Sequence, residues 1–262
     1  MNTKLRTILI VLLSAVLIYS VTRIVMIQIE YQKANDIYEE SRTEHFHVSQ
    51  DEAIPQPVES GETPEESKEY FPEAYADIED LLSVNPDIVG WIWIPNTNIN
   101  FPLLRAADNL KYLSRSYNLQ WTNSGSIFMD YRNSPDLTSD NTVIYGHNIK
   151  NGSMFGSLKE YSDADYLEKH PNIYIFTQNQ IFKYKIFAAY KTESTSESYT
   201  LDFSDSIGYD DYINYVTTSA GDSMLSAPTD ETPLLMLSTC TSVRRTERFV
   251  VNASLVAVKS ID

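Results

Sequence analysis

The stretch Pro233–Val258, PLLMLSTCTSVRRTERFVVNASLVAV, holds two apolar runs and, between them, the only cysteine of the chain. PLLMLST and RFVVNASLVAV are short and rich in Leu, Val and Phe, as strands are. A loop of about seven residues between them suits an antiparallel pair. In that pairing the end of one strand faces the start of the other across roughly 5 Å. Cys240 then lies opposite Arg248, on the face shared by Val250 and Asn252, while Arg244 and Arg245 fall mid-loop and point to water.

Working outward, six further runs have the same character: VGWIWI (89–94), NINFPLL (98–104), GSIFMD (125–130), NTVIYGH (141–147), NIYIFT (172–177) and IFKYKIFAAY (181–190). Each is bounded by Pro, Asn, Gly or Asp, and PNTN (95–98) reads as the turn between the first two. Eight runs in about 170 residues predict a mainly β domain, a closed barrel or a sandwich. Helical segments are inserted near residues 153–170 and 206–220, and PEAYADIEDLLSV (72–84) has the apolar spacing of a short amphipathic helix.

The N-terminal end reads differently. Lys4 and Arg6 precede an uncharged stretch, Thr7–Thr22, and apolar character continues past Arg23 to Ile29. A membrane span needs about 20 mostly apolar residues. Residues 1–29 therefore read as a cytoplasmic tip and a signal-anchor helix, with the remainder outside the cell by the positive-inside bias. A cleaved signal peptide is the other reading. From Asp36 to Asp80 there are 15 acidic residues against Arg42 and Lys68, so 13 of the net charge of −16 lie in that stretch. Residues 30–68 are expected to form an acidic stalk, solvated around AIPQPVESGETPEESKEYFPE (53–73), with EYQKANDIYEESR (30–42) ahead of it able to extend the membrane helix outward, and residues 69–262 the folded domain. That domain is close to neutral and has no basic stripe, which argues against nucleic acid as a partner.

One thiol rules out an internal disulfide framework and leaves two roles, small buried hydrophobe or nucleophile. A nucleophilic thiol needs a group to exchange its proton. Of four histidines, His45 and His47 form an H-x-H pair in the acidic segment, expected to be solvated, with weak metal binding as the alternative. His170 sits at a helix end, at the surface. His147 ends the run TVIYGH, where a side chain projects into a cleft, and it is either structural or catalytic. An acyl-transfer site also needs donors for the developing oxyanion, and Arg248 is the arginine placed to serve.

The blocks YGHN (145–148), LSTC (237–240) and the arginine that opens RFVV, in that order, resemble the sortases, cysteine transpeptidases that attach secreted proteins to the wall of Gram-positive bacteria. VGWIWIPNTNINFPLL, GSIFMDYRN and VIYGHNIKNGSMFGSLKEY are similar to class B of that family. The resemblance covers Tyr70 to the C-terminus, with Met236 departing from a position that class B usually fills with threonine. It implies a closed eight-stranded β-barrel with N-terminal helices. It implies Cys240 as nucleophile, His147 as acid/base and Arg248 as the residue that steadies substrate and oxyanion, without a cofactor or metal. Ser238, Thr239 and Thr241 flank the thiol as substrate-binding candidates, and the insertion from Glu193 to Asp230 is expected to set specificity. The implied partners are secreted proteins with an N-P-x-T-like C-terminal sorting motif and an amino group of a peptidoglycan precursor. A membrane-tethered cysteine protease and a non-catalytic surface adhesin are the competing readings.

Overall fold

The computed structural model describes residues 3–49, 70–204, 207–241 and 246–261. All eight apolar runs are strands. In chain order they are β3 (Ile88–Trp93), β4 (Asn100–Leu104), β5 (Ile127–Met129), β6 (Asn141–Tyr145), β7 (Asn172–Phe176), β8 (Gln180–Glu193), β9 (Leu234–Cys240) and β10 (Glu247–Ser260). They close into one barrel in the order β10-β8-β7-β3-β4-β5-β6-β9. The β4–β5 and β6–β9 pairs are parallel and the rest antiparallel. Closure leaves no sheet edge to be solvated, which settles barrel against sandwich.

The apolar runs near the C-terminus are continuous because their strands are covered on both sides. Leu235, Leu237, Phe249, Val251 and Ala253 face the barrel interior with Ile92 and Ile175, whereas Trp91 and Phe176 alternate with these and face outward. Leu234, Met236 and Val250 alternate with them and face outward, under Tyr212, Ile213 and Val216 of helix α4 (Tyr209–Ala220). The helix expected near residues 153–170 is present as a 3-10 turn, Leu158–Ser162, followed by α3 (Ala164–Lys169), capped by Asp163. The turn after β3 places Asn96 at φ 60°, with Thr97 closing on the Ile94 carbonyl, as the PNTN sequence predicts.

On the N-terminal side the helix extends through EYQKANDIYEESR as read from the sequence, but its packing departs from expectation. Helix α1 runs unbroken from Thr3 to His45. Its N-terminal part is exposed and apolar, with a mean hydropathy of 2.4 over the best 18-residue window, long enough to cross a membrane. Its C-terminal part is not a solvated stalk. Ala34, Ile37, Tyr38, Ser41 and His45 recur every three or four residues and are buried, while Glu39, Glu40 and Glu44 face water. The high acidic content conceals this stripe, because the carboxylates all lie on the opposite face. After α1, strand β1 (Phe46–Val48) pairs with β2 (Ala74–Ala76), just ahead of α2 (Ile78–Val84), which Asp77 caps. His45 is therefore buried, its Nδ1 3.1 Å from Asp80 Oδ2, and only His47 remains exposed, stacked on Tyr75. The stretch from 50 to 68, expected as linker, lies outside the described residues, as do Arg244 and Arg245.

Phe46 anchors this docking. It stacks on Trp91 with ring centroids 5.4 Å apart and meets Phe176 edge-on at 5.5 Å. Phe46→Ala should lower unfolding free energy by about 3 kcal/mol in denaturant titration of the chain in detergent, as removal of a buried aromatic does. Leu12→Ala, on the exposed apolar stretch, should change it by less than about 0.5 kcal/mol. Equal, small effects of both would mean that residues 34–48 do not pack on the barrel.

Candidate active site

Two ladders place the candidate residues. In the parallel pair β6–β9, Tyr145 stands beside Ser238, and the Gly146 N–H donates to the Ser238 carbonyl at 3.2 Å. Cys240 is two residues further along β9, and His147 lies two residues beyond the end of β6, so the ladder carries both toward the same rim. Parallel neighbours lie about 4.8 Å apart and present their side chains to the same face. The Asn148 side-chain amide completes the link, donating to the Cys240 carbonyl at 2.8 Å. In the antiparallel pair β9–β10, Cys240 is opposite Arg248, as the loop length predicts. Cys240 and Arg248 thus face each other on neighbouring strands at one rim of the barrel, and His147, just past the end of β6, lies between the two residues that bond to β9 beside them. The thiol is exposed, whereas Ser238, two residues below it, is 1% exposed.

His147 is seated by segments that belong to no strand. Its Nε2 lies 2.7 Å from the Leu113 carbonyl, at the end of a 3-10 turn, Lys111–Leu113. A carbonyl only accepts, so Nε2 carries the proton and Nδ1 is left as the nitrogen that gains and loses one. Gly125 closes the ring's other side. At φ +58° it is in the left-handed region, and a Cβ there would sit 2.9 Å from His147 Cδ2.

The insertion after β8 roofs this rim. Tyr199 donates to or accepts from Ser238 Oγ at 2.7 Å and stacks on Tyr145 with centroids 6.4 Å apart. Burial pushes its phenol above the ordinary tyrosine range, against the lowering pull of Ser238 and Arg248, so it stays a neutral hydroxyl. Asn141, at the start of β6, holds this segment through its amide, bonded to the Thr200 carbonyl at 2.8 Å and to Tyr212 Oη at 3.0 Å. Below Tyr145, its hydroxyl donates to Asp130 Oδ2 at 2.8 Å, and Arg132 grips both oxygens of the same carboxylate at 2.8 Å.

The substrate-binding candidates separate. Ser238 shares the face of Cys240. Thr239 does not: it pairs with Phe249 toward the barrel interior and is 4% exposed, because neighbouring strand residues alternate in direction. Thr241 extends the ladder, its hydroxyl donating to Glu247 Oε1 at 2.7 Å and its N–H to the Glu247 carbonyl. Tyr199, Leu113 and Gly125 were not read from the sequence as site residues. The tyrosine-rich insertion was the one available signal for Tyr199, and nothing local marks the other two.

Residues 92–256 match the family model for the sortase domain. Over 182 residues the chain is 34% identical to Sortase B of Listeria monocytogenes, covering 69% of this chain and 74% of that one. Among solved structures, the sortase B–substrate complex of Staphylococcus aureus aligns with a TM-score of 0.63 at 30% identity, covering 68% of this chain and 84% of that one. Sortase B of B. anthracis in complex with AAEK1 aligns with a TM-score of 0.65 at 28% identity, covering 87% and 98%.

Asp130 gives the site a pH limit. Burial acts to raise its carboxyl, but Arg132, the Tyr145 hydroxyl and Asn109 outweigh it and hold the group down to about 2, below its usual 3.8. A carboxylate depressed in the folded state contributes stability above its unfolded pKa and loses it as pH falls toward the folded one. Asp130→Asn should therefore cost about 2 kcal/mol at pH 7, a difference that shrinks between pH 4 and pH 2. Denaturant unfolding across that range measures it, and a pH-independent difference would contradict the assignment.

Proposed function

The chain belongs to the sortase family, in its class B, and we propose that Cys240, His147 and Arg248 carry its transpeptidation. The observation that supports this assignment is the register: Arg248 is opposite Cys240, and Tyr145 beside Ser238 brings the segment that carries His147 to the end of β9. In the first half-reaction, the Cys240 thiol passes its proton to His147 Nδ1, and Sγ attacks the carbonyl carbon of the scissile amide in a sorting motif. The carbonyl electrons move onto oxygen, where the Arg248 guanidinium stabilises the charge. They return as the C–N bond breaks, and the leaving amine takes a proton from His147 Nδ1. A thioacyl-enzyme remains. In the second half, an incoming amine attacks the thioester carbon, His147 accepts its proton, the thiolate leaves and an amide is restored.

The substrate in this reading is a secreted protein with an N-P-x-T-like C-terminal motif, and the acceptor an amino group of a peptidoglycan precursor. The apolar part of α1 would hold the enzyme at the outer side of the cell membrane, N-terminus inside, where both arrive. Thr241 and Tyr199 would contact substrate, while the buried Ser238 supports Tyr199 from below and Thr239 contributes only backbone. Partition between water and amine separates this reading from a protease. The set of Cys240, His147 and Arg248 argues against a non-catalytic adhesin, which has no use for it.

The test uses the full chain in detergent and an internally quenched Asn-Pro-x-Thr peptide, with triglycine as the amine probe. Wild type should transfer the acyl fragment to triglycine, and Cys240→Ala should neither cleave nor transfer while keeping its unfolding midpoint. Arg248→Lys should lose about 10²–10³-fold in kcat, because a point charge does not reproduce the planar, multi-donor guanidinium. Cleavage retained by Cys240→Ala would remove the thiol from the mechanism. Hydrolysis unchanged by any concentration of triglycine would favour the protease.

A further inference from the structure

The turn around Gly125, which backs the imidazole of His147, is gripped from outside the barrel by helix α1. Near the point where the apolar stretch ends, Glu30 accepts a hydrogen bond from the Asn123 amide. Two turns further along, the Tyr38 hydroxyl donates to the Gly125 carbonyl at 2.6 Å and lies 3.0 Å from Ser126 Oγ. Ser126 in turn fastens the 3-10 turn that carries Leu113: its N–H donates to the Tyr112 carbonyl at 2.9 Å and its Oγ to the Arg115 carbonyl at 2.7 Å. The two segments that bound the imidazole, one by contact at Gly125 and one by the Leu113 carbonyl on Nε2, therefore meet at the residues that Tyr38 holds.

Tyr38 is 3% exposed, and its ring packs edge-on to Phe101 with centroids 5.3 Å apart. A phenylalanine would fill that space, so the hydroxyl contributes a directed bond. We infer that Tyr38 is a positioning residue for His147, through which the docking of the N-terminal helix on the barrel sets the geometry of proton transfer. Burial keeps the phenol protonated far above its ordinary range, so it donates throughout the working pH interval. The inference rests on the reading of His147 as the acid/base. It extends that reading by making the segment that leaves the membrane part of the catalytic apparatus, so that a barrel cut free of residues 30–48 loses proton transfer as well as tethering.

Tyr38→Phe in the full chain, in detergent, isolates the hydroxyl. With the quenched Asn-Pro-x-Thr peptide, kcat should fall about fivefold, the usual effect of one hydrogen bond, with KM within about twofold of wild type. A purely structural role would not reach the imidazole, so the second readout is the His147 Nε2–H proton in a histidine-¹⁵N-labelled chain, assigned by its loss in His147→Gln. Its exchange with solvent should be about fivefold faster in Tyr38→Phe, because the bond to Leu113 opens more often. Unchanged kcat, a change in KM alone, or a fall in kcat with unaltered Nε2–H exchange would each overturn the inference. If wild type does not cleave the peptide, faster exchange in the variant still supports the positioning role while the substrate assignment fails. Unaltered exchange in that case overturns both.

Discussion

The parallel ladder between β6 and β9 is the constraint on which the site depends. It ends with Tyr145 beside Ser238, and it carries the residues two further along toward the same rim. Register here is fixed from both faces, since Leu235 and Leu237 fill the barrel interior while Leu234 and Met236 lie under α4. A slip of one residue would exchange those sets and turn Cys240 into the core. The same alternation explains why Cys240 is exposed at the rim while Thr239, beside it in sequence, is buried inside. Met236, the departure from the usual class B residue, is fully buried on the outward face, two positions below Ser238, where it packs with Val250 and leaves the pairing of Cys240 with Arg248 intact.

Strands supply Cys240 and Arg248, but irregular segments finish the site. Leu113 and Gly125 seat the imidazole, the Asn148 amide binds the Cys240 carbonyl, and Tyr199 covers Ser238. Loops of this kind carry few hydrogen bonds of their own and hold their shape only where buried partners bind them. Here the partners are distant in sequence: Asn141 and Tyr212 for the Tyr199 segment, Arg132 and Asp130 beneath Tyr145, Tyr38 for the turn at Gly125. The protein combines a barrel that fixes register with long-range polar clamps that fix rotamers, and the proposed proton transfer needs both to be in place.

The sequence carried most of the barrel and the Cys240–Arg248 pair. Every run of Ile, Val, Tyr and Phe became a strand, because strands covered on both faces leave an apolar signature that turns interrupt cleanly. The Cys240–Arg248 pairing followed from loop length alone. Three features were not legible. The docking of α1 was hidden because charge counting averages over a helix, whereas burial follows one face of it. The β1–β2 pair joins residues separated by the long acidic segment, and no local pattern announces such a partner. Leu113 and Gly125 act through a carbonyl and a missing side chain, features that residue type does not advertise.

The central claim is that acyl transfer passes through Cys240, and the mass of the enzyme during turnover tests it most directly. Full-length chain turning over the Asn-Pro-x-Thr peptide, quenched in acid, should gain the mass of the peptide's N-terminal fragment, localised to the segment that contains Cys240 and lost on adding an amine. Cleavage that proceeds with no such adduct, or with the added mass on another residue, would contradict the account.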